Sequence, residues 1–393
     1  MLLKIFAVFL LLLVAVLAVF YYLIFLKPRV RAKLDFDPEY EKERAANYPP
    51  PYPNGWFSLC SSDQVKKGQV IQVDALGQKF AVFRGENGVV GVMDVYCPHL
   101  NANLSNGKVK GNHLVCPFHA WEFDANGQCA HIPYCDKIPP QAAAKTWTIK
   151  ENWGLVLVWY HAEGEAPSWH TDGYLKELEQ YKFHSKTSDV LRIHLQDFAE
   201  NGADYAHFSY VHNLITIPLF KELVNVKHQV EITFSEGHEK HMASFTNIAD
   251  LAWKHNDQII PHAGGKAVVT FYGPGFLVFQ FSTKVGNMLL VKTFTPLGLL
   301  KVRMDDYVYA PKGTWNLAIK YLLGEASAQF HDDINIWEQK NFATKPLLVK
   351  GDGPIIKMRQ WYSQFYTPSS YIIQQQPATA NVTPEPVEVV RSN

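Results

Sequence analysis

Cys97-Pro98-His99, sixteen further residues and Cys116-Pro117-Phe118-His119 bring metal-binding side chains together twice within a short span. Each half offers one thiolate and one imidazole from a short segment. Two such loops facing each other can hold a [2Fe–2S] cluster, with two Cys on one iron and two His on the other. A Cys2His2 zinc site is the rival, because zinc takes the same ligands. Zinc fingers, however, pair Cys with Cys and His with His along the chain and then run into a helix. Here each half mixes the two among strand-like runs and Asn-Gly turns, which favours the cluster. Cys129, Cys135, His113 and His131 lie close by and read as structural or surface groups once four ligands are in place.

A second stretch, Glu200 to His212, sets His207 and His212 five residues apart with Asp204 three before His207. Residues i and i+5 lie about 140° apart on an ideal helix, so His212 is expected where a helix distorts or ends. Asp204 shares a face with His207 and is placed to accept its ring proton. A non-haem Fe(II) site needs two His, one carboxylate and open positions. Between Trp315 and Phe342 a helical pattern aligns Ile319, Leu322, Leu323, Ala326, Phe330, Ile334 and Trp337. Asp333 falls on that stripe and Asp332 lies off it. A carboxylate facing a core is costly unless paired or metal-bound, so Asp333 is the expected third ligand; an Asp accepting a core hydrogen bond is the alternative.

The chain that must position these groups has 393 residues, 47% hydrophobic, with formal net charge zero. That is enough for two cored domains, and no basic excess points to nucleic acid. Five Cys, unevenly placed, do not make a disulfide scaffold and fit a reducing compartment. Residues 1–33 read as a membrane anchor: Ile5 to Leu26 is uncharged and apolar, and a helix of about 22 residues spans roughly 33 Å. Lys27, Arg29, Arg31 and Lys33 outnumber Lys4, which places the body in the cytosol of a single-pass protein, with the endoplasmic reticulum the expected membrane. Residues 34–55 read as a linker: a charged segment over 34–47 that could form a short solvated helix, followed by a stiff Pro-rich run.

Residues 56–166 alternate strands and turns. Val70–Val73, Lys79–Arg84, Val89–Val95 and Val115–Phe123 are the expected strands, and Asn87-Gly88, Asn106-Gly107 and Asn126-Gly127 the hairpin turns. In 167–366 strands are expected over Val226–Phe234, Met242–Asp250, Ala267–Tyr272, Phe276–Ser282, Met288–Phe294 and Lys301–Tyr309. Residues 367–393 are expected to be disordered. The fold class is α+β.

From Trp56 to Tyr366 these motifs together resemble the Rieske non-haem iron oxygenases: Cys-Pro-His, Cys-Pro-Phe-His, Asn-x2-Asp-x2-His-x4-His and Asp-x3-Trp-Glu. Neither cluster loop has the additional Cys of respiratory Rieske proteins, and Asn101 and Ala120 stand where oxygenases usually have Gly. Pro-Tyr-Pro-Asn-Gly-Trp at 51–56 and Ile-x-Ile-Trp-Glu at 334–338 are similar to the Neverland-type cholesterol 7-desaturases, with bacterial 3-ketosteroid 9α-hydroxylases next.

The resemblance implies a helix-grip (START-like) catalytic domain with an antiparallel sheet around an apolar pocket. It implies a cluster on Cys97, His99, Cys116 and His119, Fe(II) on His207, His212 and Asp333, and Asn201 and Asp204 as catalytic residues that bind neither metal. It further implies O2 and a sterol as substrates and a homotrimer in which Asp204 bridges His207 to a neighbour's His119. NAD(P)H would act through a separate ferredoxin or flavin reductase, since the chain has no dinucleotide fingerprint. Conversion of cholesterol to 7-dehydrocholesterol is the expected reaction. Steroid hydroxylation and a membrane-anchored Rieske electron carrier are the alternatives.

Overall fold

Short β-branched and aromatic runs punctuated by glycine turns make the first half of the body all β. The computed structural model describes residues 2–21, 38–213, 223–284 and 286–375, and it forms three small antiparallel sheets there. Gly55–Ser61, Leu155–Tyr160 and Ile149–Asn152 make one; Gln69–Ala75, Gln78–Arg84 and Val90–Asp94 make the second. Lys108–Lys110, His113–Val115, Glu122–Phe123 and Cys129–His131 make the third. The strand expected over Val115–Phe123 is therefore two strands. Residues 116–121 leave the sheet because their main-chain bonds close on one another. Gly88 and Gly127 take left-handed conformations, φ 89° and 79°, as Asn-Gly turns require. Asn106 instead ends a 3-10 turn, Leu104–Asn106.

The second half is one seven-stranded antiparallel sheet. Its order is Tyr181–Leu191, Lys301–Pro311, Gly286–Gly298, Phe276–Thr283, Ile259–Tyr272, Met242–Trp253, Val224–Phe234. Six are the expected strands with longer ends; Tyr181–Leu191 is an edge strand whose side chains are mostly exposed. The long helix Asn316–Trp337 packs Ile319, Leu322, Ile334 and Trp337 into a core with Phe279, Leu290 and Phe294 of the sheet. Phe57 and Leu59 of the first half join that same core. Across the boundary, Arg303 donates to the carbonyls of Ser58 and Leu59 at 2.7 and 2.9 Å.

The expected single-pass membrane anchor, and with it the placement at the endoplasmic reticulum, is corrected: among the described residues no helix is long and apolar enough to cross a membrane. The N-terminal helix is Leu2–Tyr21 and contains Lys4. The expected span, Ile5 to Leu26, is described only as far as Tyr21. Lys27, Arg29, Arg31 and Lys33 lie outside the described residues.

The segment before Trp56 is not a solvated spacer either. Pro38–Ala46 is helical, and Arg44, 2% exposed, donates to the main-chain carbonyls of Trp337 (2.7 Å), Lys340 (2.8 Å) and Arg192 (3.2 Å). A helix end leaves its last carbonyls without partners, and the guanidinium supplies one for Trp337. The Pro-rich run is likewise laid on the body: Tyr48 Oη–H donates to Asp197 (3.2 Å), and the Pro50 carbonyl accepts from His194 Nε2–H (3.1 Å). At the other terminus the segment expected to be disordered opens with a helix, Pro368–Gln375, where Thr367 N–H donates to Ser370 Oγ at 3.2 Å. Residues 376–393 lie outside the described residues.

Candidate metal centres

The two Cys-His loops are closed in the same way. Asn101 N–H donates to the Cys97 carbonyl (2.9 Å) and Cys97 N–H to that of Ala102 (2.9 Å). Ala120 N–H donates to the Cys116 carbonyl (3.1 Å) and Cys116 N–H to that of Trp121 (2.8 Å). In both loops the fourth residue after Cys is left-handed, φ 55° at Asn101 and at Ala120. Asn tolerates this; Ala does so at a cost of about 1 kcal/mol. Both positions thus take a conformation that favours glycine.

Cys97 and Cys116 are buried, whereas His99 and His119 are half-buried with ring centroids 4.7 Å apart. Trp121 stacks on His99 at 4.7 Å and 7°, and its indole N–H donates to Tyr134 Oη at 2.8 Å. Sequence reasoning passed over both aromatics; a Trp two residues after the last His was the available signal. The donor set suits a metal group. Burial pushes the Cys97 thiol well up, with the neighbouring Cys116 adding to this, so a thiolate there needs a positive partner. His99 Nδ1 is buried without a hydrogen-bond partner among the described residues, an orphan that ligation would satisfy.

At the second centre the helix Tyr205–Tyr210 is capped by Asp204, whose carboxylate accepts His207 N–H at 3.1 Å. That cap corrects one expectation. The ring proton of His207 on Nδ1 goes to the main-chain carbonyl of Asp204 (2.5 Å), while the carboxylate stays 3.9 Å away. His212 follows the helix C-cap Val211, and its Nε2 lies 3.1 Å from Asp333 Oδ1. Asp333 is 5% exposed on the long helix, and Asp332 is exposed.

The ligand atoms of His207, His212 and Asp333 all lie within 4.8 Å of one another. Asn201 Nδ2 lies 3.1 Å from both His207 Nε2 and Asp333 Oδ2. Burial holds His207 below the usual imidazole range against the pull of Asp333, which keeps a lone pair available. His212 Nδ1 is buried without a hydrogen-bond partner among the described residues, and His228 Nε2–H donates to the His212 carbonyl at 3.0 Å. Two imidazoles and a buried carboxylate fit a non-haem Fe(II) site.

His212 and Asp333 stand in the wall of a chamber of about 70 Å³ made largely of Phe198, Phe208, Phe245, Phe279 and Phe330. A cavity of about 340 Å³ adjoins it, sharing Asn247, Ala267, Phe281, Ala326 and Gln329. The arrangement can hold an apolar molecule beside a redox metal.

Residues 55–147 match the Rieske [2Fe-2S] domain family, and residues 158–366 the 3-ketosteroid 9alpha-hydroxylase C-terminal domain family. The chain is similar to the cholesterol 7-desaturase of Bombyx mori, 34% identical over 340 residues, which cover 84% of this chain and 73% of the relative. It is 32% identical to that of Caenorhabditis elegans over 83% of this chain and 80% of the relative. A probable 3-ketosteroid-9-alpha-monooxygenase, oxygenase component, of Rhodococcus rhodochrous is 30% identical, with 81% of each chain covered. Dicamba monooxygenase with non-heme iron and dicamba shares the fold: TM-score 0.60, 14% identity, 82% of this chain and 98% of that one.

Proposed function

The chain belongs to the Rieske oxygenase family that includes the cholesterol 7-desaturases, and from this we propose that it converts cholesterol to 7-dehydrocholesterol by removing hydrogens from carbons 7 and 8. The observation that carries the reading is the convergence of His207, His212 and Asp333, the last two of which stand in the wall of an apolar chamber. Cys97, His99, Cys116 and His119 would hold the cluster, and the triad the Fe(II). Bound there, the cluster supplies single electrons and the iron activates O2. Cholesterol, O2, NAD(P)H and a proton give 7-dehydrocholesterol, NAD(P)+ and two waters. The NAD(P)H electrons enter through a separate ferredoxin or flavin reductase.

The chain's own residues divide the work. Burial of Cys97 and Cys116 shields the cluster ligands from water, while His99 and His119 are half-buried. The Asp204 carbonyl fixes the His207 tautomer and leaves the Nε2 lone pair turned toward Asn201 Nδ2 and the site. Asn201 holds the Asp333 carboxylate in place, and the phenylalanine walls keep water from the reacting carbons.

A homotrimer is part of the proposal, with the Asp204 carboxylate joining His207 to the partner subunit's His119. Exposure at both ends supports it: Asp204 is 38% exposed, and Leu100, Phe118 and Tyr134 beside the cluster loops are 61%, 62% and 61% exposed. Hydroxylation of a steroid is the second reading, favoured by the family matched over residues 158–366. The purified protein with a generic reductase, NAD(P)H and cholesterol decides between them. A conjugated 5,7-diene supports desaturation, an alcohol supports hydroxylation, and unchanged cholesterol overturns both for this substrate.

A further inference from the structure

Two amide side chains in the cavity walls are left over once the metal ligands are assigned. Asn247 and Gln329 line both the inner chamber beside His212 and Asp333 and the outer cavity that adjoins it. They therefore stand at the neck between the two. The inner chamber is otherwise Phe, Val, Ala and Gly, apart from the ligands and Asn201, and Asn201 is already committed to His207 and Asp333.

Asn247 is 8% exposed, and its side-chain hydrogen bond among the described residues is with His228, Oδ1 lying 3.1 Å from Nδ1. His228 is in turn tied to the His212 carbonyl. One end of the Asn247 amide is thus fixed relative to a metal ligand, and the other remains for the cavity. Gln329 is half-buried and has no side-chain hydrogen bond among the described residues. An amide that lines a cavity keeps hydrogen-bonding capacity for a ligand that enters it.

A sterol is hydrocarbon except for one hydroxyl, so it has one group to offer such a pair. Gln329 precedes Asp333 by four residues on the long helix, a rise of about 6 Å on the same face. The two fused six-membered rings that separate carbon 3, which bears the hydroxyl, from carbon 7 span a comparable length. Resting on the sterol reading above, we propose that Asn247 and Gln329 hydrogen-bond the sterol hydroxyl and thereby set which ring carbon faces the triad. His228 is the positioning residue that ties Asn247 to His212.

The test compares binding of cholesterol and of 5-cholestene, the same skeleton without oxygen, by tryptophan-fluorescence quenching on the full, cluster-loaded chain. The unmodified protein should prefer cholesterol by about tenfold. Asn247→Leu and Gln329→Met should each shrink that ratio and together bring it close to one, with 5-cholestene affinity maintained. No preference in the unmodified protein, or a preference that survives the double substitution, overturns the proposal. If Asn247→Leu does not fold, as its cluster spectrum would reveal, Gln329→Met alone carries the test. A collapsed ratio in a protein that forms no diene leaves the hydroxyl site standing and removes the desaturase reading. Diene formation with an unmoved ratio does the reverse.

Discussion

All four cluster residues fall between Cys97 and His119, and each loop closes on itself through two main-chain hydrogen bonds. The triad is assembled differently: Asp333 lies 121 positions from His212 and reaches it only because the long helix is seated on the sheet. The cluster pocket is thus mostly a local structure, and the iron site a tertiary one. Substitutions far from any ligand should disturb the second while leaving the first intact.

Loss of a ligand should have the largest effect on either side of that comparison. Cys116→Ser removes a thiolate that a hydroxyl does not replace on iron, so the visible cluster absorption and all turnover should vanish; a native spectrum would remove the cluster assignment. Asp333→Ala should abolish turnover through loss of mononuclear iron with the cluster spectrum intact, whereas Asp332→Ala should retain most activity, as measured by metal analysis beside absorption.

The expected second rank is kinetic. Asp204→Asn leaves every ligand in place, and Asn still caps a helix, so cluster and iron should both remain. If the carboxylate links subunits, reoxidation of the chemically reduced cluster with substrate and O2 should slow at least about tenfold in single-turnover stopped flow, equivalent to ~1.4 kcal/mol of barrier. An unchanged rate would make Asp204 a helix cap alone and remove the main support for the trimer.

Arg44 sharpens the contrast between local and tertiary construction. Arg44→Met should cost about 2 kcal/mol through charge-assisted hydrogen bonds lost at the end of the long helix, lowering the unfolding midpoint and iron retention but not the cluster spectrum. The smallest effect belongs to the local site. Ala120→Gly relieves a left-handed alanine and should stabilise by about 1 kcal/mol, seen in thermal melts, with iron content unmoved.

The same contrast explains what was legible in the sequence. Cys-Pro-His and Cys-Pro-Phe-His announce a local structure; Val224–Phe234 shows alternation because one face is buried, and Gly286–Gly298, buried on both faces, shows as a continuous apolar run. Asp333 stood out from Asp332 because it shares the stripe of Ala326, Phe330 and Trp337. Tyr181–Leu191 did not show, since an edge strand with mostly exposed side chains has no apolar alternation. Arg44 looked like one charge in a solvated run, because its partners are carbonyls far along the chain. Asp204 was placed correctly near His207, yet which of its oxygens takes the ring proton depends on helix capping. Asn247 and His228 carry no motif and become visible only when the sheet brings them to the cavity.

The central claim is that one chain holds two independent metal centres, one local and one tertiary. Iron and acid-labile sulfide counted on the purified protein and on Asp333→Ala test it most directly. The account predicts about three irons and two sulfides per chain, falling to about two irons with both sulfides retained in the variant. Zinc in place of iron and sulfide, or an iron count that Asp333→Ala does not change, would contradict it.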